Sequence, residues 1–379
     1  MHKHLLPTFL ILMTLNMPVS AQSEVVHQDR ITLKGNKQAS RQSSRKNKKT
    51  AKDKKNKSYE KRFAKKDDAI HYLNLRGVDE DQYDEELITR LEAGDCRTAA
   101  ALVIAGARIN RSGDEKKPFL LAAQYGDVEL LKLMVKHGAD INIVDKQPEK
   151  GAVGMGHTAQ FYAVKADKLD NLKYLNTLGL SYNATSKDEA RYDNVIRHAA
   201  SHGSMKCTLF LLSTGIDPHE TFQGGRNLLF SAAGSGNLEL VKHLVNLKVK
   251  PRHATGIGHS TLTWAAVMKQ EHIVRYFIEL GCNLNEDLQR GGLHPAHHIA
   301  GHCSANTLKL FQQKGGDITI VDNRGRSPLH YAADGGQFES VKYLIQQGLR
   351  INDIDKISIW NDKKAEQEMR ALVRKLQAE

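Results

Sequence analysis

Pairs of small residues recur along this chain at a nearly fixed interval, and that interval constrains the fold more than any other feature. The pairs are Ala199-Ala200, Ala232-Ala233, Ala265-Ala266, Ile299-Ala300 and Ala332-Ala333, so the second member falls at steps of 33, 33, 34 and 33 residues. A period of this size marks an array of supersecondary units, each too small to bury its apolar face without a neighbour. The stretch from Gly325 to Asn352 shows one unit in full. Ser327 suits an N-cap, and Pro328 suits the first helical position, where its missing N–H is not needed. Ala332 and Ala333 let helices approach closely, and Gly336 permits the turn into a second helix. Phe338, Val341, Leu344 and Ile345 then form a core stripe, and Gly348 ends the helix.

Ser327-Pro-Leu-His330 and Gly138-Ala-Asp-Ile-Asn142 resemble the hallmark segments of the ankyrin repeat family. The frame is degraded in Arg197-His-Ala-Ala200 and Gly281-Cys-Asn-Leu-Asn285, but the spacing persists over about 270 residues. The resemblance implies an all-α ankyrin repeat solenoid of about eight helix-turn-helix units over residues 83–355, preceded by a lead-in segment at 67–82. The first unit, roughly Tyr83 to Asn110, reads as a cap, with Leu91 where others have alanine. The third unit is lengthened, since Ala123 and Val164 are 41 residues apart; the extra residues lie in Gln147-Pro-Glu-Lys-Gly-Ala-Val-Gly-Met-Gly156. Residues 356–379 read as a capping helix, with Ala365, Met369, Leu372, Val373 and Leu376 on one side.

The resemblance also implies function: a non-enzymatic protein–protein interaction scaffold that takes a protein partner on a concave surface of inner helices and hairpin tips. Carried over position by position, the helix-side contacts are Gln124, Tyr125, Ser201, His202, Val267, Met268, His302 and Asp334. The tip contacts are Arg226, His259, Arg290, Arg324 and Arg326. His297 and His330, at the family's Leu-His position, are expected to hydrogen-bond between neighbouring loops and not to catalyse.

Charge separates the repeats from what precedes them. The chain carries +12, yet residues 30–66 alone hold 16 Lys and Arg against Asp53 and Glu60, a net +14. Residues 1–29 sum to −1, which leaves −1 for residues 67–379. Nucleic acid is the usual partner of a basic tail, but no aromatics interleave between Arg30 and Asn56 to stack on bases. Met1 to Ala21 combines Lys3, an apolar run from Leu5 to Met17 and Pro18-Val-Ser-Ala21, the pattern of a cleaved secretory signal peptide. The run is about 13 residues against the ~20 a membrane-spanning helix needs. Residues 22–66 are expected to be a disordered basic linker, because they have almost nothing to bury. These readings predict an exported protein, periplasmic or secreted and of bacterial origin, with no transmembrane span after cleavage. The basic 30–66 segment could then tether the repeats to an anionic envelope surface while they recruit a client. A secreted effector or a metal carrier is the remaining alternative. Asn56-Lys-Ser58, Asn110-Arg-Ser112 and Asn183-Ala-Thr185 would be glycosylated only in a eukaryotic secretory route.

No cofactor is expected. His294, His298 and His302 lie four apart with Cys303 adjacent, a spacing that suits zinc or copper. His298, however, occupies the slot held by Leu121, Tyr162, Ser231, Trp264 and Tyr331 in other units, which favours a contact surface. Units stack at roughly 10 Å each, so Cys96 and Cys207, about 30 Å apart on that spacing, are too distant for a disulfide, which needs Cα atoms within about 7 Å. Only Cys282 and Cys303 occupy neighbouring units, and Cys207 falls on a core stripe. Gly151-Ala-Val-Gly-Met-Gly156 lacks the Gly-Lys-Ser/Thr ending of a phosphate loop. No Gly-x-Ser-x-Gly, His-Glu-x-x-His or paired Cys-x-x-Cys is present.

Overall fold

The computed structural model describes residues 58–111, 116–145, 156–182, 194–252, 255, 258–288 and 291–379. The export signal expected at residues 1–21, the basic segment up to residue 57, most of the glycine-rich stretch before Gly156 and Arg290 lie outside the described residues. The chain divides into Met1–Ala64, whose described part holds a short helix α1 (Tyr59–Arg62) and the buried Phe63, and Lys65–Glu379; the last residues of the linker expected to be disordered over 22–66 are thus structured.

The second unit opens with α2 (Lys66–Asn74) and a 3-10 turn (Glu80–Gln82), so the lead-in stretch is itself mostly helical. Ala69 and Leu73, one turn apart, are fully buried, and α2 packs on the second helix of the first repeat. Among the described residues eight helix pairs follow. They are α3 (Tyr83–Glu92) with α4 (Cys96–Ala105), α5 (Pro118–Tyr125) with α6 (Val128–Lys136), α7 (Ala159–Lys165) with α8 (Leu169–Thr177), and α9 (Val195–Ser201) with α10 (Met205–Ser213). The rest are α11 (Leu228–Ser235) with α12 (Leu238–Asn246), α13 (Thr261–Val267) with α14 (Glu271–Glu279), α15 (Pro295–His302) with α16 (Ala305–Gln313), and α17 (Pro328–Asp334) with α18 (Phe338–Gln346). Each first helix packs on the first helix of the next pair, from α3 through α17. The unit is therefore an all-α solenoid of eight helix pairs, as the spacing predicts.

Packing explains the spacing. The paired alanines at 122–123, 199–200, 232–233, 265–266 and 332–333 have no exposed surface, because they are where adjacent first helices meet. At Gly335 the approach is closest, since a side chain there would strike the Gly301 carbonyl on the neighbouring α15. Phe119, Phe161, Phe230, Phe277 and Phe311 fill the core; burying each stabilises the fold by roughly 1.5–3 kcal/mol before entropy.

Side-chain amides stitch one repeat to the next. Asn110 donates from Nδ2 to the Gly138 carbonyl at 2.7 Å and accepts from the Asp140 N–H at 2.8 Å. Asn285 repeats this arrangement with Gly315 (2.8 Å) and Asp317 (2.7 Å). Both are the closing Asn of the family segment, and each satisfies main-chain groups of a loop that has no regular ladder. One tip carries a short antiparallel ladder, β1 (Thr221–Phe222) with β2 (Arg226–Asn227). At the far end α19 (Lys363–Ala378) packs on α18, with Met369 and Val373 fully buried. Asp362 caps it, accepting from the Ala365 N–H at 2.9 Å.

Candidate functional site

The first helices present one column of side chains two residues before the second small residue of each pair. Its members are Leu121, Tyr162, His198, Ser231, Trp264, His298 and Tyr331. Most of this column faces its neighbours more than solvent: His198 and His298 are 8% exposed and Ser231 5%. The aromatic members bind repeat to repeat. Trp264 stacks on Phe230 of the preceding unit with centroids 5.4 Å apart, and His297 meets Tyr331 of the following unit edge-on at 4.9 Å.

Two histidine groups recur at equivalent places. His157 stacks on Phe161 at 4.5 Å and meets His198 at 4.7 Å, and His198 lies 4.3 Å from His202. In the later pair of units His259 meets His298 at 5.0 Å, and His298 lies 6.4 Å from His302. His157 and His198 were not singled out from the sequence, although a signal exists. Gly156-His157-Thr158 and Gly258-His259-Ser260 are the same glycine–histidine–hydroxyl triplet, each placed just before a first helix. Burial, reinforced by the neighbouring His259, His302 and His297, pushes the His298 pKa down to about 3. Burial also lowers His302, with Lys269 adding to the effect. Among the described residues no group of three or more His, Cys, Asp or Glu is placed to hold a metal ion. All four cysteines are free thiols. Burial pushes Cys282 and Cys303 up to about 12, so neither supplies a thiolate near neutral pH.

His297 and His330 build loops. The Nδ1 of His297 accepts from the His294 N–H at 3.0 Å while Nε2 donates to the Arg326 carbonyl at 3.2 Å, which fixes the tautomer and joins two units. The Nδ1 of His330 accepts from the Ser327 N–H at 3.1 Å, a bond within its own turn and not the expected one between neighbouring loops. Asp322 closes the last hairpin turn: its Oδ1 accepts from the N–H groups of Arg324 and Arg326, both at 2.8 Å, and its Oδ2 accepts from the Tyr331 hydroxyl at 2.7 Å. Burial raises the Asp322 pKa, but these hydrogen bonds outweigh it and hold the carboxyl below its ordinary value. Asp145 and Tyr162 repeat the carboxylate–hydroxyl contact at 3.2 Å in the third unit.

The contact residues expected from the sequence separate by exposure. Tyr125 and Met268, at the ends of α5 and α13, are 37% and 42% exposed; Arg324 is exposed on its hairpin. Gln124 is 7% exposed and lies in the packed interior. Arg326 is drawn inward: its guanidinium lies 4.4 Å over the Tyr331 ring and donates to Asp334 at 3.2 Å and Asp322 at 3.4 Å. Asp334 in turn accepts from the Ser358 N–H at 3.1 Å and so anchors the segment leading to α19. His202 donates from Nδ1 to the His198 carbonyl at 2.9 Å. Ser201 bonds the same carbonyl, at 2.9 Å, and Val267 is half-buried. Arg226 is the ladder partner of Phe222, and His259 lies 5.9 Å from Trp264. Of the expected contact residues, Tyr125, His202, Met268 and Arg324 are therefore the exposed ones among the described residues.

Comparison with known proteins gives one consistent relationship. A family model described as ankyrin repeats, in three copies, matches residues 87–186, 196–288 and 283–355, more than half of the chain. An L-asparaginase of Dirofilaria immitis is 24% identical over 201 residues, covering 52% of this chain and 34% of that protein. The ankyrin repeat protein nuc-2 of Neurospora crassa is 27% identical over 205 residues, 52% of this chain and 18% of that protein. The ankyrin repeat and SAM domain-containing protein 6 of Danio rerio is 25% identical over 232 residues, 60% and 28%. The chain thus spans between about a fifth and a third of the length of these curated relatives. Among solved structures, the human ASB11 ankyrin repeat domain is 19% identical with a TM-score of 0.48, covering 62% of this chain and 99% of that one.

Proposed function

The chain belongs to the ankyrin repeat family, and from that premise we propose that it is a non-enzymatic scaffold that holds a protein partner on the first-helix face of its repeats. The observation that carries this reading is the contrast along that face. Its column residues are tied into the stack, while Tyr125 and Met268 stand out at helix ends without a packing partner to cover them fully. Aromatic, methionine and arginine side chains are the types that dominate or adapt to binding surfaces. The internal bonds of His297, Tyr331, Asp322 and Arg326 give those groups structural work, which supports a binding role over a catalytic one.

The same proposal places the protein outside the cytoplasm. Support comes from the sequence of residues 1–21, which has the three-part form of an export signal, and from the +14 of residues 30–66, which suits an anionic envelope surface.

The test is capture of the partner from the source organism's extract by the wild-type chain and by a Tyr125→Ala/Met268→Ala variant. Both positions are exposed, so the variant should melt as the wild type does. Its capture of the specific partner should fall about tenfold, the loss of roughly 1.4 kcal/mol. Undiminished capture would remove this face from the interaction.

A further inference from the structure

Beside the last repeat lies a cavity of about 540 Å³, bounded by the hairpin around Arg324 and by residues 349–357. That size lies within the ~300–1,000 Å³ range of ligand-binding clefts. Its wall carries four permanent cations, Arg324, Arg326, Arg350 and Lys356, against two carboxylates, Asp334 and Asp353. The carboxylates are already engaged. Asp334 is bonded by Arg326 at 3.2 Å and Asp353 by Lys356 at 2.7 Å. Arg324 and Arg350, both exposed, line the cavity and form no salt bridge among the described residues. The same cavity has apolar lining, including Val321, which is 52% exposed.

We propose that this cavity accepts an acidic peptide segment of the protein partner, with carboxylates on Arg324 and Arg350 and an intervening apolar side chain against Val321. The proposal rests on the scaffold reading and narrows it. A guanidinium offers a fork of donors that matches a carboxylate, and two of them spaced across one cavity select a segment with more than one acid. The mixed lining distinguishes such a segment from a bare inorganic anion, which would leave the apolar wall uncovered. The cavity also adjoins the Tyr331–Asp322–Arg326 network, which fixes the hairpin bearing Arg324 before any ligand arrives.

Isothermal titration of the full chain at physiological salt tests this, with an N-acetylated Glu-Leu-Glu-Leu peptide as the probe and inorganic phosphate titrated separately. The expected result is saturable one-to-one peptide binding, weakened about tenfold or more in an Arg324→Ala/Arg350→Ala variant whose thermal melt is unchanged. An Arg324→Lys/Arg350→Lys variant should retain part of the affinity, because it keeps charge and loses the fork. The basic 30–66 segment is present in every chain compared, so it cannot produce the difference. Absence of saturable binding, equal binding by the Ala variant, or phosphate binding as tight as the peptide's would each overturn the proposal. A Tyr125→Ala/Met268→Ala chain should bind the probe as wild type does. Failure of the peptide would therefore leave the partner-capture result standing, and loss of capture would not mimic loss of the cavity.

Discussion

His298 sits neutral among other histidines, and the sign of its effect on stability follows from where it is held. Its pKa in the folded chain is about 3, against about 6.5 for an exposed imidazole. Below pH 6.5 the unfolded chain takes up a proton that the folded chain refuses. Stability from this site is thus complete above pH 6.5 and is lost as pH falls towards 3, by at most about 1.4 kcal/mol per pH unit. The facing titratable groups, His259, His302 and His297, oppose the same proton. We expect a His298→Phe variant to show a smaller fall in melting temperature between pH 7 and pH 5 than the wild type; an equal fall would assign the acid sensitivity to other groups. The tie between His297 and the next loop was legible in the sequence, because the Leu-His position recurs at a fixed place in the unit. The partnership of His157 with His198 was not. The 41-residue interval between Ala123 and Val164 breaks the frame just before His157, so the shared glycine–histidine–hydroxyl triplet is the one sequence sign of its equivalence to His259, and the packing makes it plain.

Helix ends show where the repeat pattern and the backbone disagree. After the second helix of successive units, Gly215 and Gly281 adopt left-handed φ values of 97° and 82°. Lys248, at the equivalent place 33 residues from each, adopts φ of 66°. A side chain in that conformation costs roughly 1–2 kcal/mol, partly offset by the greater entropy that glycine loses on folding. We therefore expect Lys248→Gly to raise the midpoint of urea unfolding without changing its slope, by about 0.5–1 kcal/mol. A lower midpoint would show that Lys248 contributes more than its backbone strain costs. Element order was largely readable because alanine pairs, prolines at helix starts and glycines at helix ends each have a local cause. The helix Lys66–Asn74 was harder to see. Only Ala69 and Leu73 are buried in that stretch, too few to stand out as a periodic stripe. Exposure of the contact residues was harder still: Gln124 and Tyr125 are adjacent in sequence, yet one is interior and the other at the surface, a distinction set by the neighbouring repeat.

Across the whole chain the charge is unevenly divided. The +14 of residues 30–66 precedes a repeat body that is nearly neutral, so the two parts suit different surfaces. Deleting residues 30–57, ahead of the described helices, should move the protein from the envelope fraction to the soluble exported fraction, while capture of the protein partner stays intact. Unchanged fractionation would reject the tether and leave the scaffold. The stacked Trp264 has one more consequence, an optical one. The chain has two tryptophans. Trp264 lies half-buried against Phe230 in the middle of the stack, and Trp360 is 89% exposed before the final helix. Their emission therefore separates by colour, the inner one bluer than the outer. His259, 5.9 Å from Trp264, belongs to the surroundings that the bluer component reports on. The native protein thus carries its own two-channel dye pair, one reporting on the centre of the array and the other on its end.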